Sequence, residues 1–294
     1  MAEDMGSTVP RRQLGRVLRQ LRTEARMTLD GVAEELECSR QKLWRIETGI
    51  GPVRAVDVKG LCDLYGVRPE LREALIGLAG ETRARGWWHA YGDTIPEWFQ
   101  LYVGLENAAS RLRFFKNTLV PGILQSRDYA HGVYQVDQPN MSEEDRQRAV
   151  EIRLRRQSLL SRRLPKAPET QVILCESVLL RPVGTNAAMA EQLHHLLATS
   201  ELPNVSVRVV PLAAGPHHGA VGGEFVLLDF PPGSRATPEP PIVYCESWTG
   251  ALYLDRPEEY AAYEKVWSSL TALALDEGQS RQLIHKIIGE VHRG

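Results

Sequence analysis

Residues 28–49 read TLDGVAEELECSRQKLWRIETG, and the way this run parses decides the fold of the first part of the chain. Thr28 is an N-cap residue, and Val32, Ala33 and Leu36 repeat behind it at helical spacing, so a short helix is predicted. Ser39 caps a second helix. At about 100° per residue, Arg40, Gln41, Trp44, Arg45 and Thr48 fall on one side of it, and Leu43 and Ile46 on the other. Gly49 ends the helix and Gly51-Pro52 forbids its continuation. A short helix, a tight connection and a second helix with one polar and one apolar face is the helix-turn-helix arrangement, whose second helix enters the major groove.

The flanking sequence extends this to five helices. Leu14, Val17, Leu18 and Leu21 form the apolar stripe of a first helix whose other faces carry Arg16, Arg19 and Arg22. Leu61, Leu64 and Tyr65 mark a fourth helix ending at Gly66, and Pro69 opens a fifth through Leu71, Leu75 and Leu78. Residues 1–12 are predicted to be a flexible tail and 13–82 an all-α domain. The composition changes at Arg83–Trp88, where an aromatic stretch begins with Trp87, Trp88, Tyr91, Trp98, Phe99 and Tyr102. Residues 83–294 form the second domain. Helical patterning is read from Glu106 to Phe115, from Ile123 to Val133, and from Ser142 to a basic end near Arg163. Strands are read at Val172–Cys175, Val205–Val210, Phe225–Phe230 and Ile242–Cys245, with a helix at Ala187–Ser200. Gly233–Pro241 reads as a surface loop, and two amphipathic helices close the chain. The fold class is therefore α+β: a five-helix domain followed by a larger mixed α/β domain with a small sheet and C-terminal helices.

At 294 residues the chain has room for about two domains. Lys+Arg 35 against Asp+Glu 37 leaves a net charge of -2, so any nucleic-acid site must be local. No apolar run approaches the roughly 18 residues of a membrane helix, and the start lacks a leader's apolar region, so a soluble cytoplasmic protein is expected. The four cysteines form no C-x-x-C pair, which argues against a zinc ribbon or a disulfide framework. No cofactor or metal is expected.

Arg40, Gln41 and Arg45 suit direct base readout, because arginine offers a fork to guanine and glutamine one to adenine. Lys42 sits off that face and suits a phosphate. Trp44 can lie against a thymine methyl or pack on Leu29. Ser39 and Arg54 complete the DNA-facing set, and Arg11, Arg12, Arg16 and Arg19 are expected to add backbone neutralisation. In the larger domain His217, His218 and Glu224 invite a metal reading, but adjacent histidines in a strand face opposite sides, so a solvated loop pair is preferred. Glu176 and Glu246 end predicted strands as possible paired carboxylates, with capping or arginine pairing as the plainer role. Arg153, Arg155, Arg156, Arg162 and Arg163 read as a solvated helix face that could meet DNA flanks or an acidic partner.

The run from Thr28 to Gly49 closely resembles the helix-turn-helix of the Cro/repressor (Xre) family, through Ala33, Ser39, Ile46, Glu47 and Gly49. The resemblance implies base contacts at Arg40, Gln41 and Arg45 and a buried ion pair from Glu47 back to Arg22. Two departures are Leu29, where the family often has Gln, and Glu37, where it often has Gly in the turn. From about Trp87 to Val291 the chain resembles the C-terminal domain behind such helices in actinobacterial regulators of the WhiJ type. The matching residues are Trp87-Trp88, Pro96–Phe99, Glu106, Val120–Ser126, Arg153–Gln157, Glu176, Arg181–Gly184 and Val243–Glu246. The resemblance implies a transcription regulator of double-stranded DNA whose second domain receives a small companion protein encoded nearby, with a small-molecule effector as second choice. A homodimer without membrane association or catalysis is expected, with partner contacts at Arg181, Gly184, His217, His218 and Glu224. The competing classes are a metal-assisted or carboxylate-based hydrolase targeted by a helix-turn-helix, and a protein interaction module without DNA binding.

Overall fold

The computed structural model describes residues 9–49, 53–81, 97–231, 240–248 and 250–292. Most of the expected tail, Gly51-Pro52, the seam at Arg83–Trp88, Tyr91 and most of the loop at 233–241 lie outside the described residues, as do the side chains of Trp98 and Phe99. The chain divides into two units, one of residues 1–105 with 246–259, the other of 106–245 with 260–294.

The first unit opens with α1 (Val9–Glu24), α2 (Leu29–Glu35), α3 (Arg40–Thr48), α4 (Ala55–Leu64) and α5 (Pro69–Glu81). All five contribute to one core: Leu14 and Leu18, Val32, Leu43 and Ile46, Val58, Leu61 and Cys62, and Leu75 and Ala79. Each buried aliphatic of Leu size stabilises by about 1.5–3 kcal/mol, enough for helices of 7 to 16 residues that would be marginal alone. At Gly15 a Cβ would stand 2.5 Å from the Ile46 carbonyl oxygen, so α1 and α3 meet backbone to backbone. The next helix, α6 (Glu97–Ala108), buries Tyr102 and Leu105.

The larger domain is built on a six-stranded sheet of β1 (Arg111–Lys116), β2 (Glu169–Cys175), β3 (Val205–Val210), β4 (Phe225–Asp229), β5 (Ile242–Ser247) and β6 (Gly250–Leu254), in the order β3-β2-β1-β4-β5-β6. β1, β2 and β3 run parallel, with Phe115 opposite Ile173 and Ile173 opposite Arg208, while β4 runs antiparallel to β1 with Phe115 opposite Phe225. The carboxyl ends of the three parallel strands therefore share an edge with the start of β4. In open α/β sheets, ligands commonly bind outside the carboxyl ends of the strands.

Around the sheet lie α7 (Arg127–Asp137), α8 (Glu143–Arg155), α9 (Glu176–Leu180), α10 (Asn186–Thr199), α11 (His218–Gly222), α12 (Pro257–Leu273) and α13 (Glu277–Glu290). The helix expected over Glu106–Phe115 is not formed: α6 stops at Ala108 and residues 111–116 are a strand. Arg113 disguised it, because this arginine is buried only through distant partners. Its Nη2 lies 3.1 Å from Asp229 Oδ2, 2.5 Å from the Tyr260 hydroxyl and 2.6 Å from Glu264 Oε1. The long basic helix is also shorter than expected, ending at Arg155 and passing into a tighter turn over 156–160. Its arginines are not all solvated. Arg153 donates to Gln125 Oε1 at 2.7 Å and lies over the Tyr134 ring, and Arg156 makes two hydrogen bonds of 3.0 and 2.8 Å to buried Glu106.

Candidate functional site

The helix-turn-helix is closed at each junction by its own side chains. Thr28 Oγ1 accepts from Gly31 N at 3.1 Å and Ser39 Oγ from Lys42 N at 3.1 Å, so both helices begin on a cap. Gly49, at φ 70°, ends α3 by donating to Arg45 and Ile46 carbonyls. Leu43 and Ile46 are buried beneath α3, while Ser39, Arg40, Gln41, Trp44 and Arg45 are exposed along it. Between α2 and α3 the chain turns through Glu37 at φ 47°, a left-handed conformation that costs a residue with a Cβ.

Beneath the exposed face Glu47 accepts two hydrogen bonds from Arg22, whose Nη1 also donates to the Met27 carbonyl at 2.9 Å. The hydrogen bond to Glu47 holds the Arg22 guanidinium above its ordinary pKa despite burial. Arg40, Lys42 and Arg54 have acidic partners that the sequence reading did not single out. Arg40 Nε is 3.3 Å from Asp30 Oδ1, both well exposed. Lys42 Nζ is 2.8 Å from Asp57 Oδ1, and Arg54 reaches the same carboxylate at 3.0 Å through Nε and again through Nη2. The Arg54 hydrogen bond, with help from Lys42, holds the Asp57 carboxyl below its usual range against the opposing effect of burial. A signal was present for Arg54, since Asp57 stands three residues on at the opening of α4, but none for Lys42 fifteen residues away. Arg11 and Arg12, expected to neutralise DNA backbone, are 4% and 8% exposed, so they cannot face a phosphate there; Arg19 is exposed and Arg16 half-buried.

Of the five residues expected to bind a partner, Glu224, His217 and His218 are held by contacts within the domain. Glu224 accepts from Lys116 Nζ at 2.9 Å, Asn117 N at 3.0 Å, Thr118 N at 2.7 Å and the Thr118 hydroxyl. Burial pushes its carboxyl up, but Lys116 and these donors outweigh it and the group stays below the ordinary range. His217 Nδ1 accepts from Ala220 N at 3.2 Å, and its Nε2 lies 3.6 Å from Cys175 Sγ. His218 lies 3.3 Å from Ser269 Oγ. Arg181 is exposed at the end of α9, and the buried Tyr129 hydroxyl is within electrostatic reach of both Arg181 and Glu224. Gly184, at φ 70°, packs its backbone against Gly132 of α7. Glu176 accepts from Leu212 N at 2.8 Å. Among the described residues no group of three His, Cys, Asp or Glu can hold a metal ion, and no helix is long and apolar enough to cross a membrane.

Residues 13–75 match the family model described as a helix-turn-helix domain, and residues 99–286 that described as a domain of unknown function, DUF5753. Neither a curated protein nor a solved structure matches the chain. Most of the chain lies in the second match, so the protein belongs to the DUF5753 family, with a helix-turn-helix domain at its N-terminal side that marks a DNA-binding type of regulator.

Proposed function

We propose that the protein is a sequence-specific DNA-binding transcription regulator of the Cro/repressor type, acting as a homodimer in the cytoplasm. The observation that carries this is α3 itself: a capped helix seated on Leu43 and Ile46 that offers Arg40, Gln41, Trp44 and Arg45 outward. Arginine and glutamine at its first two positions suit the major-groove edges of guanine and adenine. Footprinting of the full chain on duplexes selected from a random pool tests it. A two-fold symmetric site is expected, with half-sites about 34–36 Å apart or a multiple of that spacing. Replacing Arg40 or Gln41 by Ala should cost about 1–3 kcal/mol on that site. A chain that protects no duplex, even at low salt, would sink the proposal.

The larger domain, on this reading, is a WhiJ-type receiver of a small companion protein, with a small effector as the alternative, and not a catalyst. The edge residues support a binding role over a chemical one. Burial pushes the Cys175 thiol up to about 11, which keeps it protonated near neutral pH and supports a packing role beside His217 over a nucleophilic one. A receiver shifts operator affinity by its difference in affinity for two states, with coupling of about 1–3 kcal/mol that is the same in either direction. Operator titrations with and without the product of a neighbouring gene measure that coupling. Equal operator affinities in both would remove the companion.

A further inference from the structure

One carboxylate lies under two of the cations that flank the recognition helix. Asp57 is 15% exposed, and over it stand Lys42, 40% exposed, and Arg54, 60% exposed. Lys42 comes from the first turn of α3 and Arg54 from the head of α4, so the carboxylate ties the recognition helix to the element that follows it. An ammonium has three donors and a guanidinium five; the seat uses one of the former and two of the latter, leaving the others to meet a ligand. Two positive charges over one negative leave a single net positive charge, which matches a phosphodiester. The Arg40–Asp30 pair differs, because both its partners are about 70% exposed and so are screened and free to part.

We propose that Asp57 is a specificity-setting positioning residue: it gathers Lys42 and Arg54 into one seat for a single backbone phosphate and so fixes how α3 lies in the groove. The proposal rests on the DNA-binding reading above. Phosphate contacts carry no base information themselves, but they set the register from which Arg40 and Gln41 reach base edges. Its consequence runs against simple charge counting. An acid beside DNA repels every sequence alike, so its removal should tighten all binding equally; a positioning acid, once removed, should let non-cognate binding rise while the preference for the cognate site falls.

The test uses the full chain, a duplex selected by it from a random pool, and a scrambled duplex of the same length and composition, with affinities measured across a range of salt. For Asp57→Asn the scrambled duplex should bind about 2–5-fold tighter with a salt slope steeper by up to about 0.9, while the ratio of selected to scrambled affinity falls at least about fivefold. Asp57→Glu, which keeps the charge, should recover most of that ratio. Arg54→Gln changes an exposed side chain and reads the same seat if Asp57→Asn melts early: its ratio should also fall, with a slope shallower by about 0.9. A selective wild-type chain whose ratio survives in both Asp57→Asn and Arg54→Gln would overturn the proposal and leave the DNA-binding reading intact. A wild-type chain that selects no duplex would overturn both.

Discussion

Arg22 and Glu47 form a two-pronged ion pair across 25 residues of sequence, Nε to Oε1 at 2.6 Å and Nη2 to Oε2 at 3.0 Å. The arginine side chain is 13% and the glutamate 4% exposed, so the pair sits beneath α3 as part of its seat. Removing one partner leaves the other charge without compensation, which in a buried pair costs about 3–5 kcal/mol. Glu47→Ala should therefore lower amide protection in α1 and α3 of the full chain by two or more orders of magnitude, as read by hydrogen exchange. Unchanged exchange in those helices would mean that Leu43 and Ile46 hold the seat alone.

The ease with which this part was read from sequence has a physical reason. Helix-turn-helix geometry is local: Thr28, Ser39 and Gly49 each act within four residues, and the alternation of Leu43 and Ile46 with Arg40, Gln41 and Trp44 is visible in one short run. The Arg22–Glu47 pair spans a longer distance and entered through family resemblance, not spacing. β1 was misread because its burial depends on partners 116 to 151 residues away, Asp229, Tyr260 and Glu264, without which Arg113 looks like a surface residue. Arg153 and Arg156 were misjudged for the same reason. Lys42 was legible as a cation off the base-facing side, but Asp57, which holds it, lies on the next helix.

The turn between α2 and α3 carries strain that one substitution should relieve. Glu37 adopts φ 47°, in the left-handed region where a Cβ crowds the following carbonyl at roughly 1–2 kcal/mol. Its side chain is exposed, so little packing is lost when it is replaced. Glu37→Gly removes that cost; the greater freedom of glycine in the unfolded chain offsets part of the gain, which leaves a net stabilisation of about 0.5–1 kcal/mol. A raised melting midpoint of the first unit is expected. Glu37→Val, with a β-branched side chain, should lower it.

Trp44 is 46% exposed on the same side of α3 as Gln41 and Arg45, while Leu43 and Ile46 on the other side are buried. A large apolar group left on a polar face costs little in the free protein and gains when a sugar or thymine methyl covers it. Trp44→Ser should leave stability within about 0.5 kcal/mol while weakening binding to a selected duplex. Lower stability with unchanged affinity would return Trp44 to a packing role.

At the edge of the sheet, Glu224 provides a pH-dependent contribution whose sign follows from its surroundings. Lys116, the Asn117 and Thr118 amides and the Thr118 hydroxyl hold the carboxyl below its ordinary value, and burial opposes them without prevailing. A carboxyl whose folded pKa is depressed binds its proton more readily in the unfolded chain. Its stabilisation is therefore complete above the ordinary value of 4.5 and is lost as pH falls through the folded value. Glu224→Gln keeps the shape and an acceptor for the Thr118 amide but turns an amide nitrogen towards Lys116 and leaves that cation without its counter-charge. It should cost about 1.5–3 kcal/mol near neutral pH. Denaturant unfolding of both chains between neutral and strongly acid pH reads the prediction: the gap between wild type and variant should close as the solution is acidified. A gap that stays constant would show that Glu224 stabilises by hydrogen bonding alone, and one that widens would show that its proton is bound more tightly in the folded chain.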